Sequence, residues 1–533
     1  MVVFALVLAC ASGAARASTG DPSKGRFDIW EYQVSGNTRL DVEKIERAVY
    51  PFLGEGRRIE DVEAAREALE KAYRASGYAT VLVSIPEQLV DGGIVELSVT
   101  EGRIERVLVT GARYFSQGRI LQQVPALAEG SVPNFTQLQE QLASVNTGDR
   151  RVQPLLRPGR APGTTEIELK VDDSLPLHAS IELNNRYPPS RAPNPGSYRA
   201  SGTVRYDNLW QREHSVSLSY LTSPGHTEEA KVTSASYTLP LGRPGETLTV
   251  YGVRSNSNSD LTTSLAGTGV LGNSKILGVR LAEPIRSVGG INHGLTFGVD
   301  YKNILENLNQ AGSASISTPL AYWFATAQYA GARADDDGET SVGATLGASV
   351  RGLRNNEQQF ADKRFLGQGN FGVLRWSAQR VQILPRKFLL TARAEGQFSS
   401  LPLPSSEAYA MGGADSVRGY PEAVQIGDQG LRTMLEVRTP SLQGLVGAGD
   451  ALGDLRALVF VEGAQVRVLS PLPGQVSRFT IASTGVGLRL VARRGVTLSL
   501  DYGRRLRDAL AADTHGALGK GVGRLHFNLA FQI

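Results

Sequence analysis

The chain has 533 residues, of which 41% are hydrophobic, and its mean hydropathy of -0.16 is ordinary for a folded protein. This length allows several domains, or one large barrel with appended domains. The 56 basic and 52 acidic side chains are spread along the whole sequence and leave a net charge of +4. Because nucleic-acid binding requires a basic stripe, this distribution argues against nucleic acid as a partner.

The first residues predict a secretory signal peptide that spans residues 1–17. An apolar run precedes Ala15-Arg16-Ala17, which has the small-residue pattern of a cleavage site. The alternative, a lipoprotein site at Cys10, has a short apolar run before it. In both cases the only cysteine lies in the leader, so we expect no disulfide and no cysteine-based metal site or nucleophile. No later segment has the apolar length of a membrane helix, so an exported chain is either soluble or an outer-membrane β-barrel.

The next part of the chain predicts two small α+β domains, at residues 27–102 and 103–173. The first has strand patterns near Ile29, Thr80 and Ile94 and two helices, the longer of which places four apolar residues on one face: Val62, Ala65, Leu69 and Tyr73. The same order of one strand, two helices and two strands recurs in the second. Two copies of a βααββ unit therefore account for this region better than one larger domain.

Residues 174–533 predict an all-β structure of about 16 antiparallel strands. Helical periodicity disappears, and short alternating runs are separated by clusters of Gly, Pro, Asn, Asp and Ser. About 22 residues are available for each strand with its connection, which suits tilted membrane strands.

Either a soluble sandwich or propeller, or a transmembrane barrel, could give this pattern. The alternate positions are mostly Ser, Thr, Gly, Ala and Asn with recurring arginines, which is typical of a water-filled lumen. Aromatic residues collect near strand ends, as in Tyr322-Trp323-Phe324, and the sequence ends within the strand that would close a barrel. We therefore predict the transmembrane barrel.

Several motifs resemble functional sites but have simpler interpretations. The GxGxxG at residues 267–272 is followed by no helix, so we interpret it as a glycine-rich hairpin loop. Residues 335–338 read Asp-Asp-Asp-Gly, which is a hairpin turn signal without the oxygen spacing of a calcium loop. The six histidines show no metal-binding spacing, and the sequence contains no GxSxG. We thus expect no catalytic residues, no metal and no cofactor, and the protein is not expected to be an enzyme.

The longest predicted connection is the loop at residues 399–430. About eleven strand-like segments precede Phe398 and about five follow Gly430, so this loop joins the eleventh strand to the twelfth. Loops of this length within a compact fold are usually functional. If the first strand runs outward, the loop lies on the extracellular side.

This loop carries the residues by which the chain resembles a known family. Val417-Arg418-Gly419-Tyr420 matches the V-R-G-Y/F loop signature of the TpsB transporters of two-partner secretion, a family related to the BamA insertase. The second family motif, F-x-D-x-G, is similar to the sequence from Phe460 to Ala464, with Glu462 for Asp and with Gly463 one position early. The resemblance implies that the loop folds into the lumen and that Arg418 pairs with Glu462 beside Phe460. Alternation agrees, because Phe460 and Glu462 share one strand face.

The resemblance covers most of the chain. It implies that residues 27–102 and 103–173 are POTRA domains, and that the barrel ends in a signal read by the barrel-assembly machinery, carried by Phe527, Leu529, Phe531 and Ile533. Two features depart from the family: Ile533 replaces the usual terminal Phe, and the residues between 17 and 27 leave no room for the usual plug helix.

The implied function is an outer-membrane pore with its POTRA domains in the periplasm. These domains would recognise a secreted exoprotein, which the barrel would translocate to the cell surface without ATP. The other expected partners are outer-membrane lipid and, during biogenesis, the assembly machinery. Two alternatives stay open: an insertase of outer-membrane proteins, which generally carries more POTRA domains, and a passive porin, which would need neither these domains nor the VRGY loop.

Overall fold

A computed structural model describes residues 25–533 apart from positions 187–197, 226, 228–229, 257–259, 262–269, 272, 309–315, 354, 447–452, 493–494 and 510–518. The chain divides into two units, Met1–Leu175 and Pro176–Ile533. The described residues do not include the predicted signal peptide or Cys10. They include only the last few of residues 17–27, where the sequence leaves no room for a plug helix, and only a small part of the GxGxxG segment.

The first unit begins with an α/β domain whose elements are β1 (Phe27–Ile29), β2 (Glu31–Ser35), α1 (Val42–Val49), β3 (Gly54–Arg57), α2 (Ile59–Ala75), β4 (Val81–Ser84) and β5 (Ile94–Glu101). The strands form a sheet of order β2-β5-β4, and β1 pairs with β3. The predicted apolar face of α2 packs against this sheet, because Val62, Ala65, Leu69 and Tyr73 are all buried. The added β3 is the main difference from the predicted element order.

The second domain of this unit has the predicted order, with β6 (Arg103–Thr110), α3 (Gln117–Gln122), α4 (Phe135–Val145), β7 (Arg150–Pro158) and β8 (Thr164–Asp173). Its sheet has the order β6-β8-β7 and its own apolar core, in which Ile120 and Leu138 pack against Ile167. The Asn134 side chain begins α4 by accepting hydrogen bonds from two backbone N–H groups of the first turn.

The second unit is a closed antiparallel barrel of sixteen strands, which confirms the predicted fold class. Its strands are β9 (Leu177–Asn184), β10 (Arg199–Leu209), β11 (His214–Thr222), β12 (Lys231–Pro240), β13 (Thr247–Asn256), β16 (Asn273–Val288), β17 (Ile291–Leu308), β18 (Ile316–Asp335), β19 (Gly338–Ser349), β20 (Gly372–Ile383), β21 (Leu389–Ser399), β24 (Gln429–Arg438), β25 (Asp454–Arg467), β26 (Arg478–Val491), β27 (Val496–Arg505) and β28 (Gly523–Gln532). The barrel closes where β28 pairs with β9.

Shorter elements lie in the connections between these strands. They are β14 (Asp260–Leu261), β15 (Val270–Leu271), α5 (Glu357–Lys363), β22 (Tyr409–Met411), β23 (Gln425–Gly427) and α6 (Gln443–Val446). Asp335 pairs with Gly338 across a two-residue hairpin, as the Asp-Gly signal predicts. None of the helices in the described ranges has the length and apolar character needed to span a membrane.

The two faces of the barrel wall differ in chemistry. On β25, Val459 and Val461 are 55% and 46% exposed, while Phe460 and Glu462 between them are buried inside. The aromatic residues at positions 322–324 also divide between the faces: Trp323 points outward, but Tyr322 and Phe324 are buried with Phe371. These two rings therefore form an internal cluster, and they lie within β18 (Ile316–Asp335) rather than at a strand end as the sequence predicts.

Candidate functional site

The connection between β21 and β24 folds back into the barrel. Its two limbs pair through β22 and β23, so it enters the lumen as a hairpin. Three of its side chains, Met411, Val417 and Tyr420, have 0% exposure and pack against Val466 and Ile481 of the barrel wall. The hydrophobic contacts therefore hold the loop tip against one side of the lumen.

Two glycines allow the loop tip to approach the wall closely. Gly419 has a φ of +102°, a conformation that disfavours other residues. Gly503 of β27 faces it, and a Cβ atom on Gly503 would lie 2.5 Å from the Arg418 carbonyl carbon. A side chain at either position would separate the loop backbone from β27.

Arg418 is the most heavily engaged residue of the loop, and only 3% of it is exposed. Its Nη2 lies 2.8 Å from Glu462 Oε1, and its backbone N–H donates to Glu462 Oε2 at 2.7 Å. Nη2 also contacts Glu436 Oε2 at 2.8 Å, and Nη1 contacts Asp501 Oδ1 at 3.0 Å. The guanidinium carbon lies 3.5 Å from the centroid of the Phe460 ring. One loop arginine thus binds carboxylates from β24, β25 and β27, and we call these contacts the acidic-wall anchor.

Two of these carboxylates also have a cationic partner in the wall itself. Arg438 Nε lies 2.7 Å from Glu436, and Arg489 Nη2 lies 3.0 Å from Asp501. Glu436 and Asp501 are therefore compensated on more than one side, as suits a buried charge. The carboxylate oxygens thus form a site for guanidinium groups.

The remaining signature residues also bond to the wall. The Tyr420 hydroxyl lies 2.5 Å from the Arg507 carbonyl oxygen, and Arg505 Nε donates to the Gly419 carbonyl oxygen at 2.6 Å. The Gly419 N–H donates to His526 Nε2 at 3.4 Å. The loop tip therefore contacts the last two strands as well as β24 and β25.

The loop base is held by a separate carboxylate. Asp428 accepts hydrogen bonds from the backbone N–H groups of Leu403 and Leu469 at 2.7 and 2.6 Å, and Arg364 Nη2 lies 3.2 Å from it. Asp428 therefore joins the first limb of the loop to the neighbouring connection after β25.

Polar cavities remain on both sides of the loop. One, of about 530 Å³, is lined by Arg393, Arg432, Arg438 and Glu462; another, of about 520 Å³, is lined by Arg280, Lys302 and Glu407. The lumen beside the loop is thus a hydrophilic space.

The structure brings most of the predicted site residues together. Val417, Arg418, Gly419 and Tyr420 all lie inside the barrel, with Glu462 and Phe460 against Arg418. Gly463 is different, because strand alternation turns it away from Arg418, and Ala464 packs against the loop instead.

Sequence reasoning missed four further residues that contact the loop tip: Glu436, Asp501, Arg505 and His526. Period-two alternation could have found their inward faces, but not their distance from Arg418.

The predicted assembly-signal residues lie on the closing strand β28 and just beyond it. Leu529, Phe531 and Ile533 are exposed on the outside, and the Phe527 ring is 5.8 Å from the Tyr198 ring. The Ile533 backbone exchanges two hydrogen bonds with Ala179 of β9, at 2.9 and 3.2 Å. These residues thus help to close the barrel.

Together these features define a class: β-barrels that follow POTRA-like domains and hold an arginine-bearing loop within the lumen. The haemolysin secretion/activation protein family ShlB/FhaC/HecB matches residues 163–490, and the ShlB-type POTRA domain matches residues 27–102. Because the first match covers more than half of the chain, the protein belongs to the ShlB/FhaC/HecB family. This confirms the resemblance found in the sequence.

Similar proteins and structures agree with this assignment. The outer membrane transporter CdiB of Escherichia coli is 25% identical over 427 residues, covering 76% of this chain and 67% of CdiB. The hemolysin transporter protein ShlB of Serratia marcescens is 25% identical over 378 residues, which are 69% of this chain and 64% of ShlB. The structure of CdiB from E. coli matches with a TM-score of 0.65 at 20% identity, covering 98% of this chain and 93% of that one. BamA from Haemophilus ducreyi, lacking POTRA domains 1–3, matches with a TM-score of 0.56 at 12% identity, covering 95% and 100%.

Family membership also confirms the predicted location. The barrel lies in the outer membrane, and its N-terminal POTRA domains lie in the periplasm. The chain therefore enters β9 from the periplasmic side, and the loop between β21 and β24 starts from the extracellular end. The family consists of transporters, which are not enzymes.

Proposed function

We propose that this protein recognises a partner exoprotein in the periplasm and translocates it through the barrel to the cell surface. Residues 27–102 and 103–173 act as the two recognition domains, and residues 174–533 form the pore. The observation that carries the proposal is the loop that occupies the lumen, where Arg418 binds Glu462 and two further acids. A pore containing such a loop is gated, whereas a passive porin has no need for this anchor.

Recognition would use the exposed sheet edges of the first domain. In the described sheet β2-β5-β4, the strand β4 pairs with β5 alone, and Leu82 on it is 63% exposed. An extended client can add a strand to such an edge through main-chain hydrogen bonds. This mode suits a passenger that arrives unfolded.

Translocation would proceed without ATP. The resemblance to transporters of two-partner secretion implies that the passenger itself provides the driving force. Folding of the passenger outside the cell would prevent its return through the pore. The Arg418 anchor would keep the pore closed until a passenger engages it.

Insertion of other barrels into the membrane is the second candidate function. The structural likeness to BamA favours it only at the level of the fold, since the two share 12% identity. The transporters CdiB and ShlB are the better guide to function, because each shares 25% sequence identity with this chain.

The test is co-expression of the protein with the product of a neighbouring exoprotein gene. We expect that product in the medium when the transporter is present and in the periplasm when it is absent. Absence of secretion for all neighbouring exoproteins, with an assembled barrel, would refute the proposal. Faster insertion of an unrelated barrel protein would instead support the insertase.

A further inference from the structure

The loop carries a second buried charge on the limb that precedes the VRGY tip. Glu407 is 1% exposed, and it is surrounded by donors from the barrel wall. Lys302 Nζ lies 2.5 Å from its Oε1, and the Tyr322 hydroxyl donates to the same oxygen at 2.7 Å. Arg375 Nη2 donates to Oε2 at 3.0 Å. A loop carboxylate is thus held by β17, β18 and β20.

In the contacts of Glu407, the signs of the loop and wall charges are reversed relative to the acidic-wall anchor. There a loop cation enters a group of wall acids, whereas here a loop acid enters a group of wall cations. The backbone of the same residue is also held, because Gln397 Nε2 of β21 donates to the Glu407 carbonyl oxygen at 2.9 Å. The two sets of contacts involve different strands, so one set holds the first limb of the loop and the other holds its tip.

Glu407 is the carboxylate that compensates the buried charge of Lys302. The Lys302 side chain is 5% exposed, and its Nζ lies 4.7 Å from the centroid of the Phe324 ring. Asp300, two residues before Lys302 on β17, already binds Arg280 through two contacts at 2.6 and 2.7 Å. Without Glu407, a buried ammonium would lose its carboxylate partner, which strongly destabilises the arrangement that buries it.

We propose that Glu407, Lys302, Arg375 and Tyr322 form a second anchor of the loop, the basic-wall anchor, and that the closed pore requires both anchors. Glu407 is a positioning residue, since it acts through the loop rather than on the passenger. Withdrawal of the loop would leave two cations facing the lumen at one side and acids at the other. The closed and open pores would therefore differ in ion selectivity as well as in width.

The inference deepens the proposed function, because it assumes that loop displacement serves transport. The position of the loop can nevertheless be measured without any passenger. Leu403 and Val417, which are 1% and 0% exposed, mark the first limb and the tip when each is replaced by cysteine in a Cys10→Ser background. A membrane-impermeant maleimide then reports how often each of these two parts of the loop leaves the lumen.

The decisive variant is Glu407→Gln, which keeps the side-chain volume. We expect at least about tenfold faster labelling at Leu403→Cys, as for the loss of a buried charge partner. Purified protein in planar bilayers should conduct more and shift toward anion selectivity, since Lys302 and Arg375 lose their acid. Arg418→Gln should shift selectivity the other way, toward cations. General loosening of the loop would move both variants in one direction, and that result would overturn the inference.

The controls separate anchoring from folding and from transport. Glu357→Gln removes an exposed glutamate at the start of α5 that pairs with Arg351 at 3.2 Å, and it should leave labelling and selectivity unchanged. Unheated gel migration shows whether each barrel has assembled. Unchanged labelling in assembled Glu407→Gln would refute the second anchor, whereas normal anchoring without any secreted exoprotein would refute the proposed function alone.

Discussion

Arg418 binds Glu462 with both its backbone and its side chain. The backbone N–H donates to Oε2 at 2.7 Å while the guanidinium lies 2.8 Å from Oε1. One carboxylate therefore fixes the position of the loop backbone and the orientation of the side chain at once. The longer glutamate, in place of the family's aspartate, reaches both donors from β25.

Replacing Arg418 by alanine is expected to abolish secretion while the barrel still assembles. The change leaves Glu462 buried without its main cation, and breaking such a pair typically costs about 3–5 kcal/mol. The loop tip should then leave the lumen. Secretion of the partner exoprotein and unheated gel migration together measure the effect. Arg478→Ala, which removes an arginine that begins β26, is the control and should secrete normally. Full secretion by assembled Arg418→Ala would mean that the anchor is dispensable.

Changes at Glu462 should be milder than loss of Arg418. Glu462→Asp is too short to keep both contacts, and a hydrogen bond to a charged group is worth about 1.5–3 kcal/mol. Glu462→Gln loses the charge, but Glu436 and Asp501 still hold the guanidinium. We expect secretion to fall in the order parent, Glu462→Asp, Glu462→Gln, Arg418→Ala. A Glu462→Gln variant as defective as Arg418→Ala would show that the other two acids contribute little.

The alternation of apolar and polar residues in the sequence predicts much of the barrel. It predicts sixteen strands, with eleven before the long loop and five after it, because a period of two marks each membrane strand. The same pattern places Glu462 on the inner face of β25. It gives no register between strands that are distant in sequence, so the proximity of Glu436 and Asp501 to Arg418 could not be read from it.

Glu407 shows a second limit of the sequence. It lies within a loop, where no period indicates which side chains are buried. Its partners Lys302 and Arg375 are more than a hundred and about thirty residues away in different strands. Only the closed barrel brings these charges together. The burial of Tyr322 inside the barrel could not be predicted either, because an internal cluster of rings and aromatic residues on the lipid face have the same composition.

Adding one methyl group to Gly503 should displace the loop tip. A Cβ atom there would lie 2.5 Å from the Arg418 carbonyl carbon, so Gly503→Ala forces the loop or β27 to move. We expect faster maleimide labelling at Val417→Cys and reduced secretion. Gly463→Ala is the matched control on β25, because the nearest atom to its new Cβ lies 3.9 Å away. Equal labelling of the two glycine variants would mean that the close approach of loop and wall does not hold the tip.

The last strand provides a test of assembly rather than of transport. If Phe527, Leu529, Phe531 and Ile533 form the signal read by the assembly machinery, Phe531→Ser should lower the amount of folded barrel several-fold in the outer membrane. Folded barrel is measured by its migration in unheated gels, and secretion per folded molecule should stay at the parent value. Leu525→Ser is the control, because Leu525 is 54% exposed on the same strand but lies outside the predicted signal. If both variants assemble equally poorly, the loss comes from the reduced apolar surface in lipid, and the signal interpretation is wrong.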